Sequence, residues 1–144
     1  MKKSATITGI SVLFALASIL FTAGCNQKSA QLGLQDTLMQ YQRAIRWSDY
    51  IIAAEYLSVS EPEKIRAFSA IDGIKVTDYQ VKTSSENEGG MAFTQLVEIQ
   101  FYREPSIYQQ KMYDRQNWMF DEKKQRWLLL SGLPKFLEAE AAQP

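Results

Sequence analysis

Apolar positions follow three different spacings along the chain. Lys2 and Lys3 open it with positive charge, residues 5–23 carry no charge, and residues 10–21 form a strongly apolar run. Beyond a polar stretch at 26–33 the spacing becomes helical. Leu34, Leu38, Tyr41, Ile45 and Ile52 recur at steps of three, four and seven, which lays one apolar stripe along an α-helix. Asp36 sits near the start, where it suits the helix dipole, and Arg43 and Arg46 fall on the opposite side. Trp47, Ile51 and Ala54 make a second stripe. Ser48-Asp49 offers a break with Ser48 as cap, so residues 34–57 read as one long helix or two. Ser60-Glu61-Pro62-Glu63 matches a capping box with proline in the first turn, and predicts a helix to about Ala70 that Asp72-Gly73 ends.

After Gly73 the period drops to two. Residues 74–83 read as a strand and 84–90 as a loop. Residues 91–103 read as a strand with Phe93, Val97, Ile99 and Phe101 on one face and Thr94, Glu98 and Gln100 on the other. Glu104-Pro105-Ser106 interrupts it. Residues 108–120 predict a third strand, 121–125 a charged turn and 126–131 a fourth strand, which Pro134 limits. Residues 138–144 read as a flexible tail. Helices first and strands after predict an α+β domain over 34–137, with N-terminal helices packed on an antiparallel sheet of about four strands. No internal period of about 20–50 residues marks a solenoid.

Composition narrows the chemistry. With 46% apolar and 22% charged residues the chain is globular in type. Its formal charge is zero. Without residues 1–24 it holds 14 basic and 16 acidic side chains (Lys2 and Lys3 removed from 16 basic), so the totals lack the basic excess of a nucleic-acid binder. The chain has no histidine and one cysteine. The commonest general base and zinc ligand are therefore missing, as are disulfides and thiolate clusters. No metal and no cofactor are expected.

The order of positive charge, apolar run and small residues is that of a secretory signal. Thr22-Ala23-Gly24-Cys25 resembles the lipobox of bacterial lipoproteins; Ala23 and Gly24 match it, while Thr22 stands where leucine is usual. The resemblance implies removal of residues 1–24, a diacylglyceryl group on the Cys25 thiol, and an acyl chain such as palmitate on the new amino group. Several acyl chains, at ~0.8 kcal/mol per buried methylene, hold a protein stably in a bilayer. An uncleaved membrane helix is the first competing reading, diluted by Thr6, Thr8, Gly9, Ser11 and Ser18. An ordinary secretory signal is the second, and leaves an unpaired thiol. In enteric-type sorting, aspartate after the cysteine retains lipoproteins in the inner membrane, so Asn26 favours the outer membrane and its periplasmic face. Residues 25–33 then form the lipidated cysteine and a tether, in which the eight residues 26–33 reach under ~30 Å when fully extended.

Three segments carry a second resemblance: Val-Thr-Asp-Tyr at 76–79, Arg-Gln-Asn-Trp-Met-Phe-Asp at 115–121 and Arg-Trp-Leu-Leu at 126–129. With the element order they resemble the nuclear-transport-factor-2-like, or cystatin-like, superfamily over about residues 34–132. That resemblance implies a curved sheet wrapped around a long helix as a cone with a pocket. Members include isomerases, dehydratases and hydrolases, and many with no catalysis. Isomerase-type pockets use tyrosine and aspartate, and epoxide-hydrolase-type pockets aspartate with arginine; dehydratase types need the histidine this chain lacks.

Asp114 and Gln116 share strand parity with Met112, Trp118 and Phe120. Facing inward, Asp114 is a carboxylate in a partly apolar pocket, the setting that raises a pKa and suits an acid or base; Tyr113 and Arg115 then point out. The alternatives are a solvated rim position, a cationic partner, or a bulge that resets parity. Tyr102, Tyr108, Tyr113, Trp118 and Trp127 read either as a binding surface, with Tyr102, Tyr113 and Trp118 the candidates, or as core and cross-strand pairs. Lys123-Lys124 beside Asp121-Glu122 is a solvated turn, and Gly89-Gly90 a turn without the strand-to-helix setting of a phosphate loop. The expectation is a membrane-anchored periplasmic lipoprotein, a non-catalytic module that binds a protein or a small apolar ligand. A small pocket enzyme of isomerase or hydrolase type, using aspartate, tyrosine or arginine, is one alternative, and an accessory subunit of an envelope assembly the other.

Overall fold

The computed structural model describes residues 23–87 and 89–141, so the expected signal segment up to residue 22 and the last three residues of the expected tail lie outside the described residues. Three helices, α1 (Ala23–Arg46), α2 (Tyr50–Ala54) and α3 (Glu61–Ser69), precede four strands, β1 (Ile74–Glu86), β2 (Ala92–Arg103), β3 (Gln110–Asp121) and β4 (Arg126–Leu129); α4 (Phe136–Ala141) closes the chain. The strands pair as an antiparallel sheet in sequence order. The α+β expectation holds at this level.

Helix α1 takes in residues 26–33, which polar composition reads as a tether. Polarity did not exclude a helix there, because the segment lacks proline and holds good helix formers such as Gln, Lys, Ala and Leu. A helical turnout shortens its reach to ~12 Å. Leu34, Tyr41 and Ile45 are buried on the expected stripe, and Leu38 packs beside them. The stripe does not extend to Ile52, which is exposed.

The helical region is broken in two. The Trp47 N–H still donates to the Arg43 carbonyl (3.0 Å), after which Ser48 takes φ 57°. An N-cap needs extended backbone, so Ser48 does not cap α2. Asp49 does, its carboxylate accepting from the Ile52 N–H at 3.3 Å. Helix α3 starts as expected: the Glu63 carboxylate accepts from both the backbone N–H and the hydroxyl of Ser60. Gly73, at φ +80°, makes the turn into the sheet.

Two register shifts in β1, at Val76/Asp78 and Val81/Thr83, decide which of its side chains face the helices. Strict alternation from the buried Ile74 carries Val76 and then Asp78 inward; the first shift puts Tyr79 there instead, opposite Ile99. The β2–β3 register runs unbroken from Ala92↔Met119 to Phe101↔Gln110. Gln95, Val97, Ile99 and Phe101 on β2 therefore face inward, as do Asp114, Gln116, Trp118 and Phe120 on β3.

Strand β3 starts two residues later than the expected 108, and the ends of β1 and β4 also differ from the pattern reading. Strand β1 runs three residues past the expected end, with its far half exposed. Strand β4 stops at Leu129, two residues short of the expected end, and its free edge there is covered: Leu57 bridges Leu129, and the Leu129 N–H donates to the Tyr56 carbonyl (2.7 Å). Residues 138–141, read as flexible tail, belong to α4. Phe136 is buried against Phe101 and Tyr50, and Arg103 Nε donates to both Glu140 carboxylate oxygens at 2.9 and 3.0 Å. Those partners lie far away in sequence, so local composition held no sign of them.

Candidate functional site

Asp114 heads a row of polar side chains enclosed between α1 and the inner face of the sheet. Gln116, fully buried two residues along β3, donates from Nε2 to Asp114 Oδ2 at 2.8 Å. The Gln116 Oε1 accepts twice, from Gln95 Nε2 at 2.7 Å and from the Tyr79 hydroxyl at 3.1 Å. Gln95 also reaches the Tyr79 oxygen at 3.4 Å. Its amide oxygen occupied by two donors, Gln116 must turn its NH₂ toward the carboxylate. The row is thus self-consistent and ends on Asp114.

Asp114 is 7% exposed, and no ion pair among the described residues includes it. Burial pushes its carboxyl up from 3.8 to about 6, against the pull of the Gln116 hydrogen bond. The solvated-rim, cation-paired and parity-reset alternatives therefore do not hold, and Tyr113 and Arg115 lie on the exposed side of β3 as inward parity requires. Beside this row, Tyr41 of α1 stands edge-on to Trp118 at 5.1 Å. Burial raises the Tyr41 hydroxyl pKa well above its ordinary value, and the Asp114 charge adds to the effect. The Tyr41 hydroxyl and the Trp118 indole N–H are buried without a hydrogen-bond partner.

Chemically, the row is a protonatable acid with one oriented amide neighbour and a tyrosine behind it. What it lacks is access. Tyr41, Tyr79, Gln95, Gln116 and Trp118 are all buried, and none of them lines the surface clefts beside Trp47 or at the start of α3. Of this cluster, parity singled out Asp114 and Gln116. Gln95 was legible too, as a polar side chain on the apolar parity of β2. Tyr79 was not, because its inward position depends on a register shift.

The aromatic candidates do not form one surface. Trp118 and Trp127 are each 1% exposed and belong to the core. Tyr102 is half-buried opposite Lys75, while Tyr108 and Tyr113 are exposed. Tyr113 lies on the outward face of the sheet, where Glu98 sits between Lys82 (3.3 Å) and Lys111 (3.6 Å). The Tyr113 hydrogen bond, followed by the two lysines, holds the Glu98 carboxyl below the usual range.

Trp47 and Ile51, which spacing put on a second apolar stripe with Ala54, are 78% and 61% exposed, while Ala54 is buried. The break at Ser48 turns the chain before that stripe can form. A cleft of about 540 Å³ lies on one side of Trp47, lined by Met39, Arg46 and Val76 among others, and one of about 440 Å³ on the other, toward Ile52 and Tyr56. Arg43 borders both. A third cleft, at the start of α3, is strongly charged, with Glu55, Lys64, Lys124 and Arg126.

Cys25 lies in the first turn of α1, and its side chain is outside the described residues. Among the described residues no cluster of three His, Cys, Asp or Glu side chains offers a metal site, and no helix is long and apolar enough to cross a membrane. No family model matches the chain, and neither a curated protein nor a solved structure is significantly similar to it.

Proposed function

We propose that the chain is a lipid-anchored protein of the bacterial envelope, cut before Cys25, whose folded part is a non-catalytic module that binds a protein partner at the periplasmic face of the outer membrane. The anchor rests on the signal-like residues 1–24 and the lipobox resemblance. The order of helices and antiparallel strands supports the finer reading of the fold as a cone of the nuclear-transport-factor-2-like type.

One observation carries the non-catalytic reading: Tyr41, Tyr79, Gln95, Gln116 and Trp118, which stand where such a cone would hold a substrate, are buried, and none of them lines the clefts described above. A module whose interior side chains are shielded from solvent has its outer surface to work with. The outward side of the sheet supplies exposed Tyr113, and the β2–β3 connection supplies Ile107 and Tyr108, both strongly exposed. Tyrosines of this kind are favoured at interfaces because they add contact area with little loss of side-chain freedom.

The test is a photo-crosslinking amino acid at Tyr113 or Tyr108 in native membranes. A discrete adduct with one envelope protein, absent when the probe replaces Ser85 at the far end of β1, is the predicted result. Native mass spectrometry that finds a small apolar ligand retained by the purified protein contradicts it.

A second reading, a small hydrolase or isomerase, is favoured by Asp114 alone, a carboxyl raised to about 6 and oriented by Gln116. It requires the Tyr41 side of the interior to open. Substrate turnover abolished by Asp114→Asn, with the fold intact, would establish it over the binding role.

A further inference from the structure

We infer that the exposed face of α1 around Trp47 rests on an anionic phospholipid surface, the same bilayer that takes the acyl chains of Cys25. The inference builds on the anchored reading above and adds an orientation to it.

Its first support is register. The Trp47 N–H to Arg43 carbonyl bond continues the α-helical ladder one residue past α1, so positions can be counted along one helix from Cys25 to Trp47. Twenty-two steps at about 100° each return to within about 40° of the starting direction. Positions 25, 32, 39 and 46 are spaced by sevens and also share a face, drifting by only ~20° per step. By backbone position, residue 25 therefore falls on the same face of the helix as the Trp47 patch, ~33 Å from it along the axis. A helix lying in the membrane plane brings both to the bilayer together. A helix standing upright brings only Cys25.

The second support is the chemistry of that face. Met39 and Trp47 are 62% and 78% exposed, and Ile52 borders the same cleft as Trp47. Arg43 and Arg46 stand between and beside them, and neither belongs to any ion pair among the described residues. Tryptophan with an apolar neighbour settles at the headgroup level of a bilayer, and arginine offers phosphate a planar pair of donors. Nearby acidic groups do not cancel this. Asp49 has its carboxylate turned to the Ile52 N–H, which leaves Asp36 as the acidic residue of this stretch of α1. The tyrosine-bearing side of the sheet is then left to the protein partner.

Two of the three tryptophans, Trp118 and Trp127, are buried, so quenching by lipid reads Trp47. Mature acylated protein, purified from membranes, is reconstituted into phosphatidylethanolamine–phosphatidylglycerol vesicles with ordinary or brominated acyl chains. The expected result is a blue-shifted Trp47 emission that brominated chains quench. Trp47→Phe removes the quenched component, and the double change Arg43→Gln with Arg46→Gln reduces quenching several-fold. Trp47 emission that brominated chains leave intact while aqueous iodide quenches it overturns the inference, as does Trp47 shielded by a co-purifying protein.

Failure of the anchor is scored separately, by the acyl mass on Cys25 in the same sample. If that mass is missing, sedimentation of the unacylated full chain with the same vesicles decides. Binding lost in Trp47→Phe supports the surface inference, and no binding overturns it.

Discussion

Asp114 faces the helices because no bulge interrupts the β2–β3 register, and its surroundings give it a titration the rest of the domain does not share. The sign follows from the raised pKa. Between pH ~4 and ~6 the folded protein keeps a proton that the unfolded chain has released, so stability falls as pH rises through that window and levels off above it. Since Asp114 is only 7% exposed, the full cost at neutral pH is on the order of 3 kcal/mol. Asp114→Asn keeps an acceptor for Gln116 and removes the charge. It is expected to raise stability at pH 7.5 by about 1–3 kcal/mol and to leave it unchanged near pH 4. Urea unfolding of both proteins across pH 4–8 checks this; equal stability at every pH means that the carboxyl is not desolvated. Trp118→Ala, at the centre of the same packing, is expected to cost about 3–5 kcal/mol in the same assay. Asp114 and Gln116 were legible from parity alone. The partners that make the site were less so: Tyr79 is placed by a register shift and Tyr41 by the way α1 crosses the sheet, and neither leaves a mark in local spacing.

Elements with one wet face were the most legible. The apolar positions of β2 and β3 alternate because one side of each strand is buried, and the first turn of α3 announces itself through Ser60 and Glu63. Ser60→Ala removes a donor to Glu63 and should lower stability by about 1 kcal/mol by thermal unfolding, with no change in strand content. The Glu63 carboxyl is held below its usual range by Ser60, so the contribution of this cap is lost as pH falls through the lowered value, opposite in sign to the effect of Asp114. Elements that depend on distant partners were misread. Helix α4 forms where composition suggested a tail because Phe136 and Glu140 meet Phe101 and Arg103. The turn at Ser48, at φ 57°, separates α1 from α2, and the position of Trp47 follows from that turn. Trp47→Ser should accordingly leave the thermal unfolding temperature unchanged, since a residue so exposed adds little to the core. A large drop would mean that Trp47 packs inside the fold.

At the scale of the whole molecule, the buried polar row and the helix running back from the domain toward Cys25 fit together. In the proposed anchored form, a helix continuous from Cys25 into the core would couple the fold to the bilayer more tightly than a slack tether does, and the buried Asp114 row leaves the outer surface for the proposed partner. Helices first and strands after foretold the α+β layering, and Tyr41, Trp118 and the glutamines lie buried between the helices and the sheet. Localisation is the part of this account that the sequence expresses most sharply and that the fold constrains least. Intact mass spectrometry of the chain extracted from the membrane fraction tests it directly. The account predicts a mature protein beginning at Cys25, heavier by a diacylglyceryl group and an amide-linked acyl chain, and absent from the fraction in Cys25→Ala. A wild-type chain that is soluble, carries no acyl mass and begins elsewhere contradicts it.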